Sequence, residues 1–138
     1  ISASRVRLPT KLEWEYACLA GDRGPFGFGA NNIVSGTFRE FKGATLDKYG
    51  WYAANSGANP ESAAVGQKLP NALGLHDMHG NVEEWCLDVF PGGFQQQRVV
   101  CGGAFKLKAS DCACASSRGQ IESRADPLVG MRIIVEVP

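Results

Sequence analysis

The feature that most constrains this chain is a glycine-punctuated, oxygen-rich stretch at residues 71–85, with the sequence NALGLHDMHGNVEEW. Gly74 and Gly80 stand between apolar residues, and glycine at such points marks backbone that bends tightly or approaches another group closely. Oxygen-bearing side chains suit a hard cation, since calcium accepts both carboxylates and backbone carbonyls. The alternative is a turn capped by Asn and Asp before a short strand. Four oxygen-bearing residues are clustered here: Asp77, Asn81, Glu83 and Glu84.

The composition indicates one folded domain that is rich in turns. A chain of 138 residues with 44% hydrophobic content is long enough to bury a core. Its formal net charge is zero, so it lacks the basic field that nucleic-acid binding requires. No apolar run approaches the roughly 20 residues of a membrane span. We therefore expect neither nucleic acid nor a membrane as a partner.

A helix is predicted from the residues that follow Pro9. Thr10 can cap the first turn while the Glu13 side chain reaches back to it, which is a capping box. Gly21 is well placed to end the helix. Trp14 and Tyr16 are expected to be core anchors. Apolar residues at helical spacing predict one buried face, formed by Leu12, Tyr16 and either Leu19 or Ala20.

The rest of the chain is predicted to contain loops and short strands. Residues 21–43 show no steady period and read as an irregular loop whose phenylalanines turn inward, namely Phe26, Phe28, Phe38 and Phe41. Strands are predicted at residues 98–101, 112–116 and 131–137, which are β-branched or made of small residues. The pattern favours an α+β fold with much loop.

A secreted disulfide scaffold is usually shorter and denser in cysteine than this chain, which has five. Since an odd number cannot all pair within one chain, we expect mostly reduced, buried thiols; one bridge is the alternative. Cys112 and Cys114 would share one face of a strand, where two thiolates could meet a soft metal; inert packing is the favoured interpretation. His76 and His79 lack further ligands at zinc spacing and are expected to be loop histidines that form hydrogen bonds.

Four segments of the chain occur in a characteristic order, beginning with RLPTKLEWEYA at residues 7–17 and PNALGLHDMHGNVEEW at residues 70–85. These two segments resemble RLPTEAEWEYA and PNAFGLYDMHGNVWEW of the formylglycine-generating enzyme (sulfatase-modifying factor) family. Residues 102–105 (GGAF) and 130–135 (GMRIIV) stand where the family has GGSW and GFRVV. The resemblance extends over nearly the whole chain.

The resemblance implies an α+β, C-type-lectin-like fold that is loop-rich, with few short helices and a small twisted antiparallel sheet. It implies a single domain over residues 1–138 that lacks its N-terminal part. It also implies a structural calcium ion at the central stretch. By similarity, Asp77 and Glu84 would supply side-chain oxygens, and Gly80 and Val82 would offer backbone carbonyls.

Two departures from the family separate this chain from its catalytic members. Glu83 replaces the first tryptophan of the family's VWEW. Catalytic members hold copper with two cysteines that follow GGS. Counted forward from the two glycines at 102 and 103, only Cys112 falls near one of these positions and Leu107 occupies the other. Counted back from Arg118, neither position is a cysteine. We therefore do not expect copper at that place.

Two functional hypotheses follow. The leading one is a non-catalytic, calcium-braced, lectin-like scaffold that binds a ligand or protein partner through its C-terminal loops. Its relatives include the variable proteins of diversity-generating retroelements, which bind with this region; the alternative for such charged residues is plain solvated surface. The rival is an oxygen-dependent, cysteine-oxidising enzyme with altered ligands, Cys112 and Cys114. A further expected partner is the missing N-terminal part of the domain. The candidate ligand-binding residues are Lys106, Lys108, Asp111, Arg118, Gln120, Glu122 and Arg124.

Overall fold

The computed structural model describes residues 4–28, 46–58, 60–92 and 96–137. Phe38 and Phe41, which were expected to pack inward, lie outside these ranges. The helices here are α1 (Lys11–Leu19), α2 (Leu46–Tyr49) and a 3₁₀ helix (Ala109–Cys112). The strands are short, and most of the described chain is irregular: β1 (Arg5–Arg7), β2 (Gly50–Trp51), β3 (His79–Gly80), β4 (Glu83–Val89), β5 (Gln97–Cys101), β6 (Ser117–Ile121), β7 (Val129–Gly130) and β8 (Ile134–Glu136).

The main sheet has four strands in the order β6-β5-β4-β7. Its central pairings are antiparallel, as expected, whereas the edge strand β7 runs parallel to β4, so the sheet is mixed. Two further pairs complete the described strands: β1 with β8, antiparallel, and β2 with β3, parallel. This few-helix, loop-rich α+β architecture confirms the predicted fold class.

Helix α1 confirms the predicted capping box, but its buried face differs from the predicted one. The Thr10 hydroxyl accepts the Glu13 N–H, and the Glu13 carboxylate accepts the Thr10 N–H at 2.8 Å. Leu12 is 75% exposed and Tyr16 is 73% exposed, so the face predicted from them is wrong. Trp14 is buried as predicted, and Cys18 is buried with it. The helix therefore has two rows of apolar residues. The row that contains Trp14 and Cys18 is buried, because these two residues bond to Glu84 and Cys114 in distant segments.

The strand predictions succeeded where the residues were β-branched. Residues 98–101 lie in β5, and 131–137 contain β8, whose Val135 pairs with Val6 of β1. Residues 112–116 are not a strand: they end the 3₁₀ helix and continue as a turn. The turn is held by the Cys114 N–H, which donates to the Pro25 carbonyl at 2.8 Å instead of to a neighbouring strand.

The buried apolar residues form two clusters that meet at His79. One cluster is built around Trp14, Cys18 and the buried face of β4 and β5, and the other around Phe26 and Leu46. Phe26 is buried and Phe28 half-buried, as predicted. None of the helices in the described ranges is long and apolar enough to cross a membrane.

Candidate functional site

The central stretch, residues 71–85, contains a bend at Gly80 and Asn81, called the central bend here. Hydrogen bonds to other segments of the chain hold it in place. Gly80 and Asn81 adopt φ values of 87° and 65°, and the Gly80 N–H donates to the Gly102 carbonyl at 2.6 Å. A Cβ at Gly80 would lie 2.0 Å from the Trp51 carbonyl oxygen, so only glycine allows β3 to pair with β2. The Asn81 side chain accepts the Ala63 N–H at 2.8 Å. This stretch therefore joins loops that are far apart in sequence.

The two carboxylates expected to bind calcium differ in their partners. Asp77 is buried, and its Oδ2 accepts the Gly66 N–H at 2.7 Å, while its Oδ1 has no hydrogen-bond partner in the part of the chain that the structure describes. Glu84 is already satisfied: it accepts the Trp14 Nε1–H at 2.6 Å, and Arg132 Nη2 at 2.9 Å. A calcium ion here would find an uncompensated oxygen on Asp77 and would share Glu84 with Arg132.

A polar cavity of about 270 Å³ opens beside the N-terminal end of β6. Its charged floor is Glu83, a side chain 4% exposed that Arg118 holds with Nε at 3.0 and 2.9 Å from the two carboxylate oxygens. Arg118 also contacts Asp126 at 3.1 Å. Burial raises the pKa of Glu83 in spite of the opposing effect of Arg118. The residues that line the cavity are Glu83, Leu107, Asp111, Ser116, Ser117 and Arg118.

The structure brings two of the seven predicted ligand-binding residues, Asp111 and Arg118, to this cavity. Gln120 is buried behind it, where its Oε1 accepts Arg118 Nη1–H at 2.7 Å. Glu122 pairs with Arg98 at 2.7 Å, outside the cavity lining. The remaining three are exposed and do not line the cavity: Lys106, Lys108 and Arg124.

Sequence reasoning did not assign four residues of this cavity to a ligand site: Glu83, Leu107, Ser116 and Ser117. The available signal was Glu83 itself, a carboxylate standing where the resembling family has tryptophan. Two hydroxyls in a run of small residues gave no comparable signal, because such runs are common in packed turns.

Three of the five cysteines are free and buried, as expected for mostly reduced thiols, and the other two form the one bridge that was the alternative. Cys18 and Cys114 form a disulfide with Cα atoms 5.6 Å apart. Cys86, Cys101 and Cys112 are free and buried, as expected. Because Cys114 bonds to Cys18 and no strand runs through residues 112–116, the shared strand face proposed for Cys112 and Cys114 is wrong. Burial raises the pKa of Cys112 to about 12, so its thiol is protonated at neutral pH.

Both histidines form the expected hydrogen bonds, but they occupy different environments. His76 is exposed, with Nδ1 2.8 Å from the Lys68 carbonyl oxygen. His79 lies in β3, 2% exposed, with Nδ1 2.9 Å from the Cys112 carbonyl oxygen. Its ligand atom and the sulfurs of Cys18 and Cys114 all lie within 4.8 Å of one another. The three are far apart in sequence, so spacing rules did not find this group.

Known proteins resemble this chain in sequence and in fold. Chaperone protein LppX of Paenibacillus barcinonensis is 34% identical over an aligned length of 99 residues, and the match covers 61% of this chain and 31% of that protein. Inactive C-alpha-formylglycine-generating enzyme 2 of Bos taurus is 33% identical over an aligned length of 125 residues, and the match covers 86% of this chain and 38% of that protein. The solved structure of Treponema denticola variable protein 1 superposes with a TM-score of 0.71 at 31% identity, over 93% of this chain and 46% of that one.

The fold and the central bend define a loop-rich α+β domain of the formylglycine-generating type. Residues 2–137 match the family described as the sulfatase-modifying factor enzyme 1-like domain. The chain belongs to this family, as its motifs predicted. It spans about a third of the length of the curated relatives it matches, 31% and 38% for the two named above.

Proposed function

We propose that this protein is a non-catalytic binding domain that receives a polar ligand in the cavity formed by β6 and the C-terminal loops. The observation that carries the proposal is the cavity itself, whose lining includes the ion pair between the buried Glu83 and the half-buried Arg118. Binding sites commonly combine a few converging polar groups with a rigid scaffold. Here carboxylates, a guanidinium and two hydroxyls converge within about 270 Å³. The donors and acceptors together suit a small zwitterionic or polyhydroxylated ligand.

The cysteine chemistry supports a role without catalysis. Leu107 stands at one of the two positions where catalytic members of the family hold copper, and it is a lining residue of the cavity. Cys112, near the other position, is a protonated thiol whose Sγ lies 3.6 Å from the Lys108 carbonyl oxygen. A thiolate is the metal ligand and nucleophile, so this thiol is poorly suited to either role. One relative is named as an inactive enzyme of the same type.

The binding proposal is tested with a panel of free amino acids, monosaccharides and short peptides, screened by ligand-observed NMR. We expect saturable binding of at least one class of probe. The Leu107→Trp variant, which fills the cavity without touching the ion pair, should abolish it. Arg118→Met should weaken it by roughly tenfold or more, because a charged hydrogen-bond donor is removed.

The control is Arg98→Met, which removes an arginine of similar exposure from a more exposed ion pair on the neighbouring strand β5. Arg98 does not line the cavity, so this variant should bind like the parent. The proposal fails if no probe binds saturably, or if Leu107→Trp and the parent bind the same probe equally well.

We also propose that a calcium ion braces the central bend, with Asp77, Gly80, Val82 and Glu84 as its ligands. The buried, unpartnered Oδ1 of Asp77 supports this, because buried polar atoms normally have a partner. Carboxylate and carbonyl oxygens are the ligands that calcium prefers. When bound, the ion would neutralise charge and join loops that have little regular hydrogen bonding.

Chelator and metal analysis test the calcium ion. Calcium at about 100 times its dissociation constant would stabilise the fold by roughly 2.7 kcal/mol. A calcium-selective chelator should therefore lower the melting temperature of the parent and leave that of Asp77→Ala unchanged. The exposed Glu61→Ala variant is the control and should respond to chelator like the parent. A parent melting curve that chelator does not move, with no calcium found by elemental mass spectrometry, would reject the site.

A further inference from the structure

A further group of metal-ligating side chains lies in the core. The sulfur atoms of Cys18 and Cys114 and a ring nitrogen of His79 lie within 4.8 Å of one another. Their residues are 0%, 1% and 2% exposed. Within the described ranges this is the one group of three or more histidine, cysteine or acidic side chains close enough to share an ion.

The tautomer of His79 places the lone pair on Nε2. Nδ1 lies 2.9 Å from the Cys112 carbonyl oxygen, which can only accept, so Nδ1 carries the proton. Nε2 accepts a hydrogen bond from the Gly27 N–H at 3.4 Å, which a bound ion would replace. The sulfur of Cys18 lies beside the ring, 3.9 Å from Nδ1 and 4.0 Å from Nε2. A histidine that ligates a metal through one nitrogen usually donates its other N–H to a carbonyl or carboxylate in this way.

The surroundings hold the imidazole in a fixed orientation. Phe26 and Phe28 pack on its ring with centroid distances of 5.4 and 5.1 Å. Glycine at position 27 lets this segment lie directly against Cys18, because a Cβ at that position would lie 1.7 Å from the Cys18 carbonyl oxygen. The ring cannot turn away without disturbing both core clusters.

A cavity of about 500 Å³ lies near this group, and its lining includes Gly27, Phe28 and Tyr49 of α2. Phe28 also packs edge-on against the His79 ring, with the centroids 5.1 Å apart.

We propose that Cys18, His79 and Cys114 bind a single copper(I) ion when the disulfide is reduced. Two thiolates and one imidazole are soft donors of the kind that copper(I) prefers. Zinc sites normally have four ligands, whereas three side-chain donors come together here. The oxidised protein, in which the two sulfurs are bonded to each other, would not bind the ion. Reduction followed by copper binding would replace the Cys18–Cys114 bond with coordination of both sulfurs to one metal ion.

The reaction balances with a tertiary phosphine as the reductant. The phosphine gives two electrons to the Cys18–Cys114 bond and becomes a phosphine oxide, taking its oxygen from water. The two protons of that water complete the two thiols. Copper(I) binding then releases both protons to solvent, with no change in the oxidation state of copper.

The test isolates these two sulfurs. In the variant Cys86→Ala/Cys101→Ala/Cys112→Ala, the only sulfhydryl groups left after reduction belong to Cys18 and Cys114. This background matters because Cys86 and Cys101, with Sγ atoms 3.8 Å apart, could bind copper themselves. After phosphine treatment and anaerobic desalting, titration against a chromogenic copper(I) chelator should show one ion per chain. The same protein left oxidised should show none.

Two further measurements keep the test decisive. In the reduced parent, bound copper(I) should protect Cys18 and Cys114 from alkylation, as read by peptide mass spectrometry, even if the triple variant does not fold. X-ray absorption should find two sulfurs and one nitrogen around the ion, and His79→Gln should remove the nitrogen. The proposal is overturned if the reduced, folded protein binds no copper(I), or if copper protects only Cys86 and Cys101.

Discussion

The contacts and the pKa of His79 follow from its burial in the fold and could not be predicted from its position in the sequence. It lies between the two core clusters, contacts the rings of Phe26 and Phe28, and donates to the Cys112 carbonyl. Because water is excluded, the charged imidazolium is disfavoured, and its pKa falls from 6.5 to about 4. His76, three residues earlier, is exposed.

This burial predicts a pH dependence of stability. Between pH 6.5 and about 4 the unfolded chain protonates this histidine while the native chain does not. The free energy of unfolding should therefore fall with decreasing pH across that window, by about 3 kcal/mol from this group. Chemical denaturation of the parent and of His79→Gln at several pH values measures the difference between their slopes.

His76→Gln is the matched control, because it removes an exposed histidine three residues away, and it should keep the slope of the parent. Parallel curves for the parent and His79→Gln would show that the burial of this ring does not govern acid stability.

Among the elements, helix α1 shows that a correct start signal does not determine a buried face. The capping box was readable because it depends on residues three apart, Thr10 and Glu13. The buried face depends on distant partners: Trp14 donates to Glu84, and Cys18 bonds to Cys114. Neither partner can be identified from the helix sequence alone.

The helix therefore predicts contrasting mutations. Thr10→Ala removes the hydroxyl that accepts the Glu13 N–H and should reduce the free energy of unfolding by about 1 kcal/mol. Tyr16→Ala, at a residue 73% exposed, should change it by less than about 0.5 kcal/mol. Urea denaturation compares the two. A larger loss from Tyr16→Ala than from Thr10→Ala would mean that the exposed stripe is covered by another part of the protein.

At the scale of the whole molecule, the Cys18–Cys114 disulfide joins α1 to the loop that precedes β6, across 96 residues. A crosslink over so long a loop restricts the unfolded chain strongly, by roughly 4 to 5 kcal/mol in the chain-entropy account. Much of the described chain is irregular, so this covalent link is a large contribution to holding the loops together.

Reduction should consequently destabilise the protein. We expect tertiary phosphine to lower the melting temperature of the parent and to leave that of Cys18→Ala/Cys114→Ala unchanged. Adding copper(I) to the reduced parent should restore part of the loss, because a ligand that binds only the native state stabilises it. Thermal unfolding by circular dichroism reads each case. An equal response of parent and double variant to phosphine would place the effect elsewhere.

The sequence by itself determined the family, the α+β class, the capped helix and the β-branched strands, because each is carried by residues that are neighbours in the chain. The tertiary structure decided what depends on distant residues meeting. Those features are the exposed stripe of α1, the pairing of Cys18 with Cys114, the neutral His79 and the polar cavity over Glu83. A local sequence pattern indicates the propensity to form a helix or a strand. Burial and bonding between segments that are far apart in sequence are determined only by the tertiary structure.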